Sequence, residues 1–126
     1  MTVRAYWDSI SGNYEDEIFN VMKRDRQGLV RNRMEKYSCS AGTASDLGCG
    51  IGNFLPVLSS LFQQIIALDI SPKCIARSKA RFKELTNISY RTVDLSKKRI
   101  RLPKVDFALS VNSILTPSLT RRNQML

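Results

Sequence analysis

Thr43-Ala44-Ser45-Asp46-Leu47-Gly48-Cys49-Gly50-Ile51-Gly52-Asn53-Phe54 is the stretch on which the fold turns. Thr43 to Leu47 predicts a short buried strand, the alternating glycines predict a tight loop, and Asn53 to Phe62 predicts a helix. A strand running through a glycine loop into a helix opens an α/β unit. Glycine lets such a loop bend sharply and approach a ligand, because no Cβ holds the backbone away.

Reading outward, Gln64 to Ile70 is a second strand, and Ser71-Pro72 supplies an N-cap followed by proline at the first helical position. The basic helix that follows places Ile75, Ser78, Phe82 and Leu85 on one face. Ile88 to Val93 and Val105 to Val111 are the third and fourth strands, joined by the basic loop Ser96 to Lys104, and Thr116-Pro117 opens another helix. On the amino-terminal side Asn13 caps a helix from about Tyr14 toward Tyr37, with Ile18, Met22, Leu29, Val30 and Met34 as its apolar face and the polar run Lys23 to Gly28 as an interruption. Strands alternating with helices imply a mostly parallel sheet wound by right-handed crossovers, an α/β Rossmann-like three-layer sandwich.

The 126 residues suffice for one domain, and 43% apolar with 25% charged residues fits a packed globule. No apolar run approaches the ~18 residues of a membrane span, and Met1 to Ile10 has no signal-type apolar core, so a cytoplasmic address and no membrane partner are expected. Three cysteines in a chain without histidine fit no zinc pattern; they read as reduced thiols, with no metal site. The missing histidine also excludes Ser-His and Cys-His nucleophile chemistry. The net charge of +9 lies in residues 73–104, where eleven Lys and Arg face only Glu84 and Asp94. That segment reads first as a solvated helix face plus a basic loop, with nucleic acid as the alternative partner.

Ligands of parallel α/β sheets sit beyond the carboxyl ends of the strands. A dinucleotide fingerprint G-x-G-x-x-G counted from Gly48 would need glycine where Asn53 stands. Asp46, two residues before Gly48, would repel a pyrophosphate and attract a ligand carrying an ammonium and a sulfonium. Charge therefore favours S-adenosylmethionine over NAD. Asp69 ends the second strand, where a carboxylate accepts from both ribose hydroxyls; it also suits a cap for the helix entered at Ser71. Asp94 follows the third strand, placed to accept from an adenine amino group while Leu95 packs near the ring; it also suits a plain turn.

With these residues in place, the chain resembles the class I S-adenosylmethionine-dependent methyltransferases. The resemblance is carried by Asp46 to Phe54, by Ala67-Leu68-Asp69-Ile70-Ser71, by Val93-Asp94-Leu95 and by Val105 to Ser110. It implies cofactor contacts from Asp46, Gly48, Cys49, Gly50, Gly52, Asp69, Ile70, Asp94, Leu95 and Ser110. The stretch Tyr6 to Tyr14 is similar to the segment by which many members close over the cofactor, which puts Tyr14 in the lid; plain packing is its other reading. Asn112 falls where the family lines its methyl-transfer pocket, and it equally suits satisfying a loop backbone.

The implied activity is SN2 transfer of the sulfonium methyl to an unidentified nucleophilic acceptor, with a small molecule favoured. Two alternatives stand beside it: a non-catalytic adenosyl-binding or partner-binding remnant of the same fold, and a basic nucleic-acid-binding module. The resemblance divides the chain into an amino-terminal lid or helical segment, 1–41, and a partial Rossmann-like S-adenosylmethionine-binding domain, 42–126. The family fold continues past the fourth strand, so the sheet is expected to be truncated, incomplete at its carboxyl half, with that strand exposed for self-association or a partner chain.

Overall fold

A computed structural model describes residues 2–14 and 21–111, without the side chains of residues 21 and 22. Its elements are α1 (Val3–Ile10), a 3-10 turn (Ser11–Asn13), α2 (Val21–Arg24), α3 (Leu29–Lys36), β1 (Cys39–Leu47), α4 (Leu55–Leu61), β2 (Phe62–Asp69), α5 (Pro72–Arg81), β3 (Ile88–Thr92) and β4 (Phe107–Leu109).

The strands form one parallel sheet in the order β3-β2-β1-β4. Ala44 is level with Ile65 and Phe107, and Asp46 with Ala67 and Leu109. Side chains alternate along a strand, so Ala44, Ile65 and Ala67 share one face. On that face they meet Leu55 and Leu58 of α4, Ile75 of α5 and Met34 of α3, which together form the buried core. This is the Rossmann-like α/β arrangement expected from the alternation of elements. It brings the carboxyl ends of β1 and β2 together beside the glycine loop.

The cap at Ser71 forms as read: its hydroxyl accepts from the Cys74 N–H, and Pro72 opens α5. The helix ends at Arg81, however, so Leu85 lies past it, in a turn where its N–H donates to the Phe82 carbonyl. β1 starts at Cys39 rather than Thr43. Cys39 is opposite Phe62 and Thr43 opposite Gln64, so the extra residues form an irregularity that no alternation pattern announces. β4 is shorter than its apolar run because it pairs with β1 over Ala44 to Asp46 alone.

The amino-terminal region departs most from expectation. A helix already forms at Val3, where the Thr2 hydroxyl accepts from the Ala5 N–H. The expected helix toward Tyr37 breaks at the polar run, where Gly28 has φ +68°. There the Asp25 carboxylate accepts from the N–H groups of Leu29, Val30 and Arg31 at 2.8, 3.0 and 3.2 Å, capping α3 anew. The new start rotates Leu29 outward, 62% exposed, whereas Met34 is buried. Ile18 and the Met22 side chain lie outside the described residues.

Candidate functional site

The glycine loop is tied to β2 at its start, where the Gly48 and Cys49 N–H groups both donate to the Leu68 carbonyl at 2.8 and 2.9 Å. Gly48, Gly50 and Gly52 all have φ between +55° and +85°, the left-handed region that glycine enters without steric cost. At two of them space is also decisive. A Cβ on Gly50 would lie 2.7 Å from Tyr14 Cζ and closer still to the Tyr14 hydroxyl. On Gly52 it would lie 2.8 Å from Leu55 Cδ1 and closer still to Ser78 Oγ.

Asp69 holds the next part of the loop. Its Oδ2 accepts from the Gly50 N–H at 2.8 Å and its Oδ1 from the Ser71 N–H at 2.9 Å. Each carboxylate oxygen keeps a second lone pair, so the group can hold the loop and still accept from a ligand. Burial raises its proton affinity, while the N–H groups of Ser71, Gly50 and Ile70 pull the other way.

Asp46 is in a different state. It is 2% exposed, and among the described residues its Oδ2 has no hydrogen-bond partner. Burial, with the Asp69 charge adding, pushes its carboxyl up to about 7. Among the described residues no donor reaches this buried oxygen, and leaving a buried polar atom unpartnered is costly.

A consequence for stability follows from the sign of that shift. The unfolded chain releases this proton near its ordinary value of 3.8, and the folded chain holds it to about 7. The group's contribution is therefore fully present below pH 4 and is lost as pH rises to about 7. Asp46→Asn is expected to be more stable than the native chain at pH 8 and no more stable at pH 4. Urea midpoints at the two pH values check this; an equal gain at both would show that the carboxyl titrates normally.

Tyr14 follows the 3-10 turn and lies over Gly50, its ring 6.2 Å from that of Trp7. Burial, then the Asp69 charge, raises its hydroxyl well above the ordinary value, so it stays neutral. The segment carrying it is fastened to α5 and its entry at Ile70 and Ser71 by contacts that the sequence reading missed. The Asp8 carboxylate accepts from the Ser71 hydroxyl and from the Lys73 N–H, Arg77 Nη1 donates to the Ser11 carbonyl, and Arg4 Nε donates to the Ile70 carbonyl at 3.2 Å.

Cys49 is buried in the loop, as is Cys74 in α5, and burial holds both as thiols, Cys74 up to about 11. Asp94 makes a turn: its Oδ1 accepts from the Ser96 N–H at 3.0 Å and from the Ser96 hydroxyl at 2.6 Å. Leu95 and Ser110 line a cavity of about 200 Å³ together with Leu47, Ile100, Leu102, Lys97 and Lys98. The fold thus brings Tyr14, Asp46, the glycine loop and Asp69 together, with Ile70 next to Asp69. Leu95 and Ser110 meet at the cavity that Leu47, between Asp46 and Gly48, also lines, and Asn112 lies outside the described residues.

Among the described residues no helix is long and apolar enough to cross a membrane. Residues 44–126 match the family described as "Methyltransferase domain". The chain is 29% identical over 65 residues to nodulation protein S of Bradyrhizobium diazoefficiens, a match covering 52% of this chain and 31% of that protein. The DhpI-SAM-HEP complex superposes with a TM-score of 0.77 at 20% identity, over 96% of this chain and 54% of that one. The methyltransferase domain of bacterial CtHen1-CN gives 0.68 at 26% identity, over 82% and 57%. The chain therefore spans about a third of the nodulation protein and little more than half of either structure. The family match, beginning inside β1 and taking in the glycine loop and the strand ends, places the chain among the class I S-adenosylmethionine-dependent methyltransferases.

Proposed function

We propose that this chain binds S-adenosylmethionine and serves transfer of its methyl group to a nucleophilic acceptor. The observation that carries the reading is Asp46: a buried carboxylate with an oxygen unpartnered among the described residues, beside a glycine loop at the carboxyl ends of β1 and β2. A ligand with an ammonium and a sulfonium supplies the missing partner, and the ionised form of Asp46 is the one that receives it. The bound cofactor's chemistry is an SN2 displacement in which an acceptor lone pair bonds to the methyl carbon while the carbon–sulfur pair returns to sulfur.

The chain's own residues bind and orient. Gly50 and Gly52 give the loop its left-handed turns while leaving room for Tyr14 and for Leu55 and Ser78, and Asp69 uses its free lone pairs for the ribose hydroxyls. Asp94 and Leu95 take the adenine end, with Ile70, Cys49 and Ser110 as further walls. Tyr14 closes over the loop as part of the amino-terminal segment 1–41, of which Met34 joins the core and Cys39 the sheet of the cofactor domain, 42–126. By the family resemblance, Asn112 belongs to the acceptor side of the methyl-transfer pocket. Alignment of donor and acceptor supplies much of the rate of such a displacement, so a chain without histidine suffices.

A small-molecule acceptor is favoured over nucleic acid. The basic segment 73–104 interleaves Phe82 and Tyr90 as its sole aromatics, few for stacking bases. Phosphoethanolamine, bound with S-adenosylhomocysteine in the structurally similar phosphoethanolamine N-methyltransferase 1 of Haemonchus contortus, exemplifies the class. Calorimetric titration tests the cofactor reading: S-adenosylmethionine and S-adenosylhomocysteine are expected to bind about 10 to 100 times more tightly than NAD, the scale of one charge-assisted contact. Tighter binding of NAD overturns it.

A further inference from the structure

Composition assigns Arg81 to a solvated basic helix face; the fold puts it to another use. It stands in the last turn of α5, and its guanidinium reaches back to the glycine loop. Nη1 donates to the Ile51 carbonyl at 2.7 Å and to Asn53 Oδ1 at 2.9 Å. The guanidinium carbon is 4.8 Å from the centroid of the Phe82 ring, so stacking restrains the orientation of the fork. Ile51 is fully buried, and its carbonyl needs a partner.

The loop needs ties of this kind. Glycines at positive φ lose more conformational freedom on ordering than any other residue, and within the loop the Gly52 N–H to Cys49 carbonyl bond, 2.9 Å, closes one turn. Asp69 fixes Gly50, while Arg81 fixes Ile51 and Asn53. Both ties lead to α5, because the Ser71 N–H at its entry also bonds to Asp69. One helix thus holds the loop at two points.

We propose that Arg81 is a positioning residue for cofactor binding, holding the glycine loop in its ligand-ready conformation; this rests on the cofactor reading above. Apparent affinity falls in proportion to the fraction of molecules whose loop is competent. Arg81→Met keeps much of the stem's packing and removes the donors. A loop that is ordered about one-tenth of the time raises the dissociation constant about tenfold.

The test is titration of S-adenosylhomocysteine against the native chain, Arg81→Met, Arg81→Lys and Lys83→Met, the last removing an exposed cation from the same segment, with amide hydrogen exchange of residues 50–53 on the same samples. Arg81→Met is expected to raise the dissociation constant about tenfold and to speed exchange in the loop. Arg81→Lys should recover part of the affinity, since an ammonium lacks the planar stacked fork, and Lys83→Met should match the native chain. Native affinity and native loop exchange in Arg81→Met overturn the proposal, as does an equal loss in Lys83→Met. If Arg81→Met fails to fold, Arg81→Lys decides, and native values of both quantities there overturn it. If the native chain binds no S-adenosylhomocysteine, the cofactor reading falls by itself, and exchange at residues 50–53 still decides whether Arg81 orders the loop.

Discussion

Gly50→Val is expected to abolish S-adenosylhomocysteine binding, a loss of at least about 100-fold. Two effects act in the same direction. At φ +55° a β-branched residue is strained, and its Cβ would fall within 2.7 Å of Tyr14 Cζ, so either the loop or the tyrosine must leave its place. Moving the loop breaks the bond from the Gly50 N–H to Asp69, and moving the tyrosine opens the segment docked on α5. Neither outcome preserves the arrangement in which the loop, Tyr14 and Asp69 meet. Calorimetry gives the affinity, and far-UV melting shows how much of the fold survives. Gly50→Ala, which adds the Cβ without branching, should already weaken binding. Native affinity in Gly50→Val would mean that the loop is not the site.

Asp69→Ala is expected to weaken S-adenosylhomocysteine binding by about 1.5 to 3 kcal/mol, or 10- to 100-fold, through loss of the ribose acceptor. The geometry adds a second loss, in stability. Both oxygens of Asp69 are in use, so truncation strands the Gly50 and Ser71 N–H groups, at about 1 to 3 kcal/mol for each buried donor left unsatisfied. A partial offset comes from Asp46, which loses a like-charged neighbour. The measurable result is a lower urea midpoint together with weaker binding. A variant that loses stability but keeps native affinity would identify Asp69 as a structural clasp for the loop and the entry of α5, with no part in holding the ribose.

These expectations rest on features that were unequally visible in the chain. The alternation of strands and helices, the cap at Ser71 and the placement of Asp46 and Asp69 at strand ends were all legible, because each is written in a window of a few residues. The break at Asp25 to Gly28 was half legible. The polar run showed where a helix would be interrupted, but the new register, with Leu29 outward and Met34 inward, depended on a side chain folding back to cap α3.

What the sequence by itself determined was the α/β order of elements, the glycine loop and the acidic residues that follow its strands. Only the tertiary structure decided what those residues experience. An aspartate at position 46 could be solvated or buried, and its carboxyl moves toward neutral pH because the fold closes over it next to Asp69. The contacts that fix the loop and its cover, Asp8 with Ser71, Tyr14 over Gly50 and Arg81 on Ile51, join residues separated by 63, 36 and 30 positions. Periodicity describes one element at a time, so a pairing between distant elements leaves no pattern in either; it comes into being when the sheet and α5 bring the partners within reach.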